Sequence, residues 1–550
     1  MSASAPIDRA VLLAHLREAR TWDLVVIGGG ATGLGVAVDA AARGFSVALV
    51  EAHDFAKGTS SRATKLVHGG VRYLAQGNVS LVREALHERA TLLANAPHLA
   101  QPLAFVMPAY KWWEPAFYGL GLKAYDALAG KRGLGATQVL SARKTIAALP
   151  NLQQHSLAGG VKYWDGQFDD ARLAVALART AIALGAVALN HCPATGLLRE
   201  AGKVCGVTVC DAETGNTFSL RATAVVNATG VWVDAIRDMD REPGAAVRPP
   251  MVAPSQGVHI VVDRGFLPGE NALIVPKTSD GRVLFAVPWL GKVLLGTTDA
   301  PRSDLPAEPR ASEEEIGFIL HEAAGYLSRS PQREDVRSVW AGLRPLVKPD
   351  DDADSTKRIS REHTVVVGRS GLVTVTGGKW TTYRAMAEDV LQRCFDAHLL
   401  PRRSGDFTSS LRLAGAPGRA TGSLALSPGE HLYGDDAQTL RAMPGADHWL
   451  WRDEAGARPG GLSEAMLRFA VRYEMARSVE DVLARRSRLL FLDAARAQAL
   501  ARPVAELLGQ ELGRPVPESD ILAFEALARS YRGVTRLHAS PHSSPIGQPA

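Results

Sequence analysis

The run from Asp23 to Glu51 constrains the fold more than any other part of this chain. "DLVVIGGG" (Asp23 to Gly30) reads as an apolar strand ending in a glycine turn. "ATGLGVAVDAAARG" follows as a helix of small residues, stopped at Gly44, and "FSVALVE" (Phe45 to Glu51) is a second apolar strand. Strand, turn, helix and strand make a βαβ unit, the building block of a parallel sheet covered by helices. Gly28, Gly30 and Gly33 stand in G-x-G-x-x-G spacing. The first permits the tight turn, the second lets backbone approach a diphosphate, and the third lets helix pack on strand. The helix start then offers unpaired N–H groups and partial positive charge to an anion. Glu51 ends the second strand, 23 positions after Gly28, where a carboxylate accepts hydrogen bonds from ribose hydroxyls. A dinucleotide site is expected here. The fingerprint alone does not separate NAD from FAD.

Two later segments favour FAD. "VVNATGVW" (Val225 to Trp232) is a strand leading to Ala-Thr-Gly, with Thr229 and Gly230 placed for close backbone approach to the adenine side. "LVTVTGGKWTTYRAMAEDV" (Leu372 to Val390) is a strand, a turn containing Gly378, and a helix start suited to the ribityl chain and flavin edge. The 550 residues exceed one hydrophobic core, so several domains are expected. Residues 1–20 read as an N-terminal extension with amphipathic spacing. Residues 21–400 read as a Rossmann-like, doubly wound α/β FAD domain interleaved with a mostly antiparallel β-rich substrate domain. Its strand candidates are "VCGVTVC", "HIVVD", "ALIVP" and a hairpin around Leu290–Gly291. Residues 401–430, rich in Gly, Ala, Ser, Pro and Arg, read as a linker. Residues 431–537 form a C-terminal α-helical cap domain, and 538–550 a disordered tail.

Composition sets limits. A net charge of +5 is too mild to predict nucleic-acid binding, and none is expected. The four cysteines include no C-x-x-C pair, so no metal site is expected. No apolar, charge-free stretch is long enough to span a bilayer, and no signal peptide is seen.

The motifs "IGGGATGLGVAVDAAARG", "GTSSRATKLVHGGVRYL", "VNATGVW", "GTTD", "GLRPL" and "TGGKWTTYR" together resemble those of the FAD-dependent glycerol-3-phosphate dehydrogenases of bacterial respiratory chains. The resemblance extends from about Asp23 to Val390, and the C-terminal helices also fit that family. It implies non-covalent FAD and hydride transfer from C2 of glycerol 3-phosphate to flavin N5, giving dihydroxyacetone phosphate. It also implies ubiquinone or a related quinone as final acceptor.

The resemblance carries residue roles with it. Thr59, Ser60, Ser61 and Thr64 are expected near the flavin nucleotide. Lys65 and His68 are expected at the isoalloxazine side, with Gly69-Gly70 leaving a gap for the ring. Arg72 and Tyr73 are expected to face the substrate, and Arg344 and Arg361 to supply further cations for its phosphate. His259 is the expected base for the O2 proton, with His68 as rival. Lys379 is expected to stabilise charge at the flavin N1–C2=O edge, or to hold O2 or the phosphate.

"KWWEPAFYGLGLKAYDALAGKRG" (Lys111 to Gly133) interleaves aromatics with Lys111, Lys123, Lys131 and Arg132, a composition suited to a helix lying in the headgroup layer. The expected location is cytoplasmic, peripheral on the inner face of the cell membrane. An oxidase passing electrons to oxygen is the main alternative within the enzyme class, and a flavin-dependent RNA-modifying protein the alternative outside it. The sequence leaves the oligomeric state open, a homodimer included.

Overall fold

The computed structural model describes residues 5–71, 74, 77–242, 244, 248–348, 363–453 and 460–532. Arg72, Tyr73, Arg361 and the expected tail at 538–550 lie outside these residues.

The βαβ unit forms as expected: strand Thr21–Ile27, helix Ala31–Ala42 and strand Val47–Val50. These seed an 8-stranded sheet. Five strands run parallel in the order Val187–Leu189, Val47–Val50, Thr21–Ile27, Thr217–Asn227 and Val373–Gly377. Their central stretches, residues 24–26, 47–50 and 224–226, are apolar and buried, as strands covered on both faces must be. The strand Lys203–Cys210, containing "VCGVTVC", belongs to this sheet and not to the substrate sheet. It pairs antiparallel with Thr217–Asn227 as part of a hairpin arm.

The second sheet has 10 strands and is antiparallel except where Ala272–Val275 meets Ala100–Ala109. At its centre Val252–Asp263 lies between Ser338–Val347 and Lys292–Gly296. The expected hairpin is present. Leu290 (φ 44°) and Gly291 (φ 79°) close it in the left-handed geometry that two-residue hairpins need.

Residues 401–429 contain neither helix nor strand, yet they are a strap stitched to the body rather than a free linker. Leu413 and Leu424 are buried. Leu413 N–H donates to Asn95 O at 3.0 Å, and Gln101 binds both Gly422 and Leu424. The N-terminal helix Arg9–Leu16 is likewise docked, with Leu12 and Leu16 buried and Arg9 bonded to Asp211 and Asn190. The C-terminal segments fold into helices Glu464–Arg472, Leu489–Leu492, Ala501–Leu512 and Glu518–Tyr531. No helix among the described residues is long and apolar enough to cross a membrane.

Candidate active site

A cavity of about 1850 Å³ runs between the two sheets. One end is the glycine turn. Gly28 has φ 109°, and a Cβ there would lie 2.7 Å from Ala228 O. A Cβ on Gly33 would lie 1.9 Å from Gly28 O, which fixes glycine for packing, as its spacing implied. Gly28 and Gly30 line the cavity with Glu51, Thr229 and Gly230. Gly30 has no side chain with which to cap the helix, which leaves N–H groups at its start for an anion. Both Glu51 oxygens accept backbone N–H groups, from Gly29 at 2.6 Å and His53 at 2.9 Å. Burial nonetheless pushes this carboxyl above its ordinary range.

The middle of the cavity is walled by the loop Gly58–Thr64 and by Gly378 and Lys379. Thr59, Ser60, Thr64 and His68 line it. Ser60 Oγ accepts the Ala31 N–H at 2.9 Å, tying this loop to the helix start. Ser61, Lys65 and Gly69 do not face the cavity, which corrects their expected placement. Lys65 has φ 64°, and this left-handed turn sends its side chain inward, fully buried, to Asp170 at 2.7 Å. Burial pushes its ammonium down to about 7 against the pull of Asp170. Gly69 instead makes room for the neighbouring helices, since a Cβ there would lie 2.3 Å from the Tyr125 hydroxyl. Gly70 is the member of the pair that lines the cavity.

The far end is built by the second sheet. His259 sits opposite Gly296 on one neighbouring strand and Trp340 on the other. Its ring stacks on Trp340 with centroids 4.2 Å apart. A Cβ on Gly296 would lie 2.4 Å from His259 Cδ2, so only glycine leaves space for the imidazole. His259 Nε2 is 3.0 Å from Thr64 Oγ1. Burial, then the Lys65 and Arg344 charges, hold this histidine well below its ordinary pKa, so the ring is neutral.

Arg344 reaches over Gly257, where a Cβ would lie 2.2 Å from its Nη2. The guanidinium donates to Thr297 Oγ1 (2.9 Å) and Thr298 O (3.0 Å), and pairs with Asp299 at 3.2 Å. Gly257 and His259 are two residues apart on one strand, on the same face. The guanidinium over Gly257 and the imidazole are therefore neighbours about 7 Å apart along the strand. Trp340, Gly257 and Gly296 were not singled out from sequence. A glycine inside a strand run, as in "SQGVH" and "LLGTTD", was the available signal.

Residues 23–384 match the family described as FAD dependent oxidoreductase, and residues 425–516 match the C-terminal domain of alpha-glycerophosphate oxidase. The mitochondrial glycerol-3-phosphate dehydrogenase of Homo sapiens is 41% identical over 541 residues, covering 92% of this chain and 73% of that protein. That of Schizosaccharomyces pombe is 38% identical over 599 residues, covering 97% and 90%. The chain belongs to the FAD-dependent glycerol-3-phosphate dehydrogenase family. The solved glycerol-3-phosphate dehydrogenase of Bacillus halodurans, complexed with FAD, superposes with a TM-score of 0.73 at 29% identity, covering 95% of this chain and 97% of that one.

FAD is the cofactor of this enzyme, and the residues present fit it. The glycine turn and helix start suit the diphosphate, and Glu51 suits a ribose. Gly230, with φ 64° and nothing within 4 Å of a Cβ, leaves open backbone at the cavity wall. The middle section offers Ser60, Thr59 and Lys379 beyond it.

Proposed function

We propose that this enzyme oxidises sn-glycerol 3-phosphate to dihydroxyacetone phosphate and that a membrane quinone takes the electrons. The observation that carries the first part is the pairing of Arg344 and His259 on one sheet face. A phosphate held by the guanidinium brings the C2 hydroxyl of a three-carbon chain within reach of the imidazole. Arg344 grips the phosphate oxygens through its planar fork, and on this reading Arg72, Tyr73 and Arg361 join it. His259, neutral before substrate binds, takes the O2 proton at Nε2, the nitrogen facing Thr64 on the cavity wall. Bound FAD supplies the acceptor for the hydride from C2. Lys379, on the wall between the two ends, offsets negative charge that gathers there.

The quinone reading is supported by the outer lobe of the same cavity. Phe105, Met107, Tyr163 and Phe285 line it, together with Leu122 of the helix Glu114–Ala129. Phe117 and Leu120 of this helix line the cavity and are also 64% and 74% exposed, beside Trp112 at 87%. Lys131 and Arg132 flank this apolar face and are exposed. Such a face lies in a headgroup layer and opens the lobe toward lipid. Anaerobic mixing with glycerol 3-phosphate tests the substrate. The flavin absorbance should bleach faster than with glycerol or lactate, and equal rates for all three would refute the assignment.

A further inference from the structure

The loop from Asp54 to Lys65 forms one wall of the flavin site, and its outer side is held by a different domain. Asp54 pairs with Arg485 and Arg486, and Lys57 pairs with Glu480. Arg62 pairs with Glu308 at 2.7 Å, and Glu308 in turn accepts the Tyr531 hydroxyl at 3.1 Å. Arg485, Arg486, Glu480 and Tyr531 all come from the C-terminal helical domain. We propose that Arg488 of that domain is a positioning residue for the cofactor, setting the path of the Ser60–Thr64 wall by holding the Ser61 carbonyl from behind.

The geometry is specific. Arg488 is fully buried and left-handed, with φ 64°. Its Nη2 donates to Ser61 O at 2.9 Å and to Asp170 Oδ1 at 3.0 Å, while Nη1 donates to Ala484 O at 2.8 Å. Asp170 closes the ring, accepting the Ala63 N–H at 3.0 Å and Lys65 Nζ at 2.7 Å. Lys65 Nζ also donates to Ser61 O at 2.7 Å. The carbonyl at the loop's bend thus receives two cations, one from its own loop and one from the far domain. Asp169, 3.4 Å from Arg488 Nε, balances the charge: Lys65 and Arg488 against Asp169 and Asp170. Phe491 and Trp289 cover the guanidinium, with ring centroids 4.4 and 5.3 Å from Cζ. Breaking a contact inside such a closed cluster leaves a buried polar group without its partner, which favours one path for the loop.

That path matters on the cavity side. Ser60, one residue from the held carbonyl, bonds the start of the nucleotide helix, and Thr64, three residues on, meets His259. Removing the Arg488 donor leaves Ser61 O to Lys65 alone and therefore loosens the cofactor wall and a contact of the base together, without touching either directly.

The test compares full-length holoenzyme carrying Arg488→Met, Arg488→Lys or Leu508→Ala. Leu508 is a fully buried residue of the same domain, remote in role from the loop. FAD dissociation constants are read by recovery of free-flavin fluorescence, alongside Tm. Arg488→Met should weaken FAD binding about tenfold or more, the size of one lost charged hydrogen bond. Arg488→Lys, which folds more readily but cannot span three acceptors, should weaken it by about threefold. Leu508→Ala should lower Tm and leave FAD affinity unchanged. Wild-type FAD affinity in the folded Arg488 variants overturns the proposal. So does equal FAD loss in Leu508→Ala at a matched Tm.

Discussion

One methyl group at Gly257 should separate substrate binding from cofactor binding. An ideal Cβ there lies 2.2 Å from Arg344 Nη2 and 2.7 Å from both Arg344 Cζ and Thr297 Oγ1. Ordinary heavy-atom contact needs about 3.5 Å, so the guanidinium must withdraw by roughly 1 Å. It is the far end of a flexible side chain, and the strand itself need not move. The withdrawal stretches the bonds to Thr297 Oγ1, Thr298 O and Gln256 O that aim the fork. Removing Arg344 altogether would cost about 2–5 kcal/mol of substrate binding, the range for truncating a buried charged pair. A displaced but still charged guanidinium keeps part of its attraction. Gly257→Ala should therefore raise KM for glycerol 3-phosphate by about ten- to a hundredfold, at 1.4 kcal/mol per decade. The assay is steady-state oxidation with a soluble dye, with flavin spectrum and Tm recorded on the same sample. A KM within about twofold of wild type, in a folded, FAD-loaded variant, refutes Arg344 as the phosphate ligand.

Gly296→Ala should instead act on kcat, because its Cβ meets His259 Cδ2 at 2.4 Å and the ring, stacked on Trp340, cannot withdraw. A loss approaching the 10²–10⁴-fold (about) expected for a missing base is predicted, with the larger change in kcat rather than KM. For pH, His259 is held below its ordinary value of about 6.5. The low-pH limb of kcat/KM should thus lie below the usual histidine range and should vanish in His259→Gln. The same shift makes this histidine cost stability as pH falls below its unfolded pKa, since the unfolded chain then binds the proton that the fold excludes. Binding to anionic vesicles should weaken with salt, and neutralising Lys131 and Arg132 to Gln should weaken it by about 1 kcal/mol per residue, with dye-linked activity unchanged. Indifference to vesicles, with full turnover on oxygen, would favour an oxidase.

The nucleotide end of the site was legible because its signal is local. Gly28, Gly30, Gly33 and Glu51 stand within one βαβ unit, the glycines set by backbone geometry and Glu51 by its place at the end of the second strand. His259, Arg344 and Lys379 line the same cavity, and only motifs shared with a family led to expecting them there, since nothing in the spacing of three distant segments brings them together. The rest was hidden for identifiable reasons. Lys65 looked like a cofactor residue until its left-handed backbone turned it inward, and a positive φ at lysine has no sequence signature. Gly257 and Gly296 matter through the space that they leave, which is visible only once Arg344 and His259 occupy it. The 401–430 strap has a linker's composition, yet Leu413 and Leu424 are enough to anchor it.

Three kinds of constraint meet in one cavity, and they do not share residues. A helix start fixes the nucleotide end. Strand register fixes the far end: sliding Ser338–Val347 by one residue would turn both Trp340 and Arg344 to the opposite sheet face. The loop between them has neither helix nor long strand to hold it, and its 3₁₀ turn at Thr59–Ser61 is too short to hold itself. A wall of that kind must borrow its rigidity, and the groups that reach it include Asp170, Glu308 and side chains of the C-terminal domain. Arginine suits that task because one planar side chain can bind a carbonyl and a carboxylate at once. The C-terminal helices therefore do more than cover the sheet: they supply the back of the wall against which the flavin and the base are aligned.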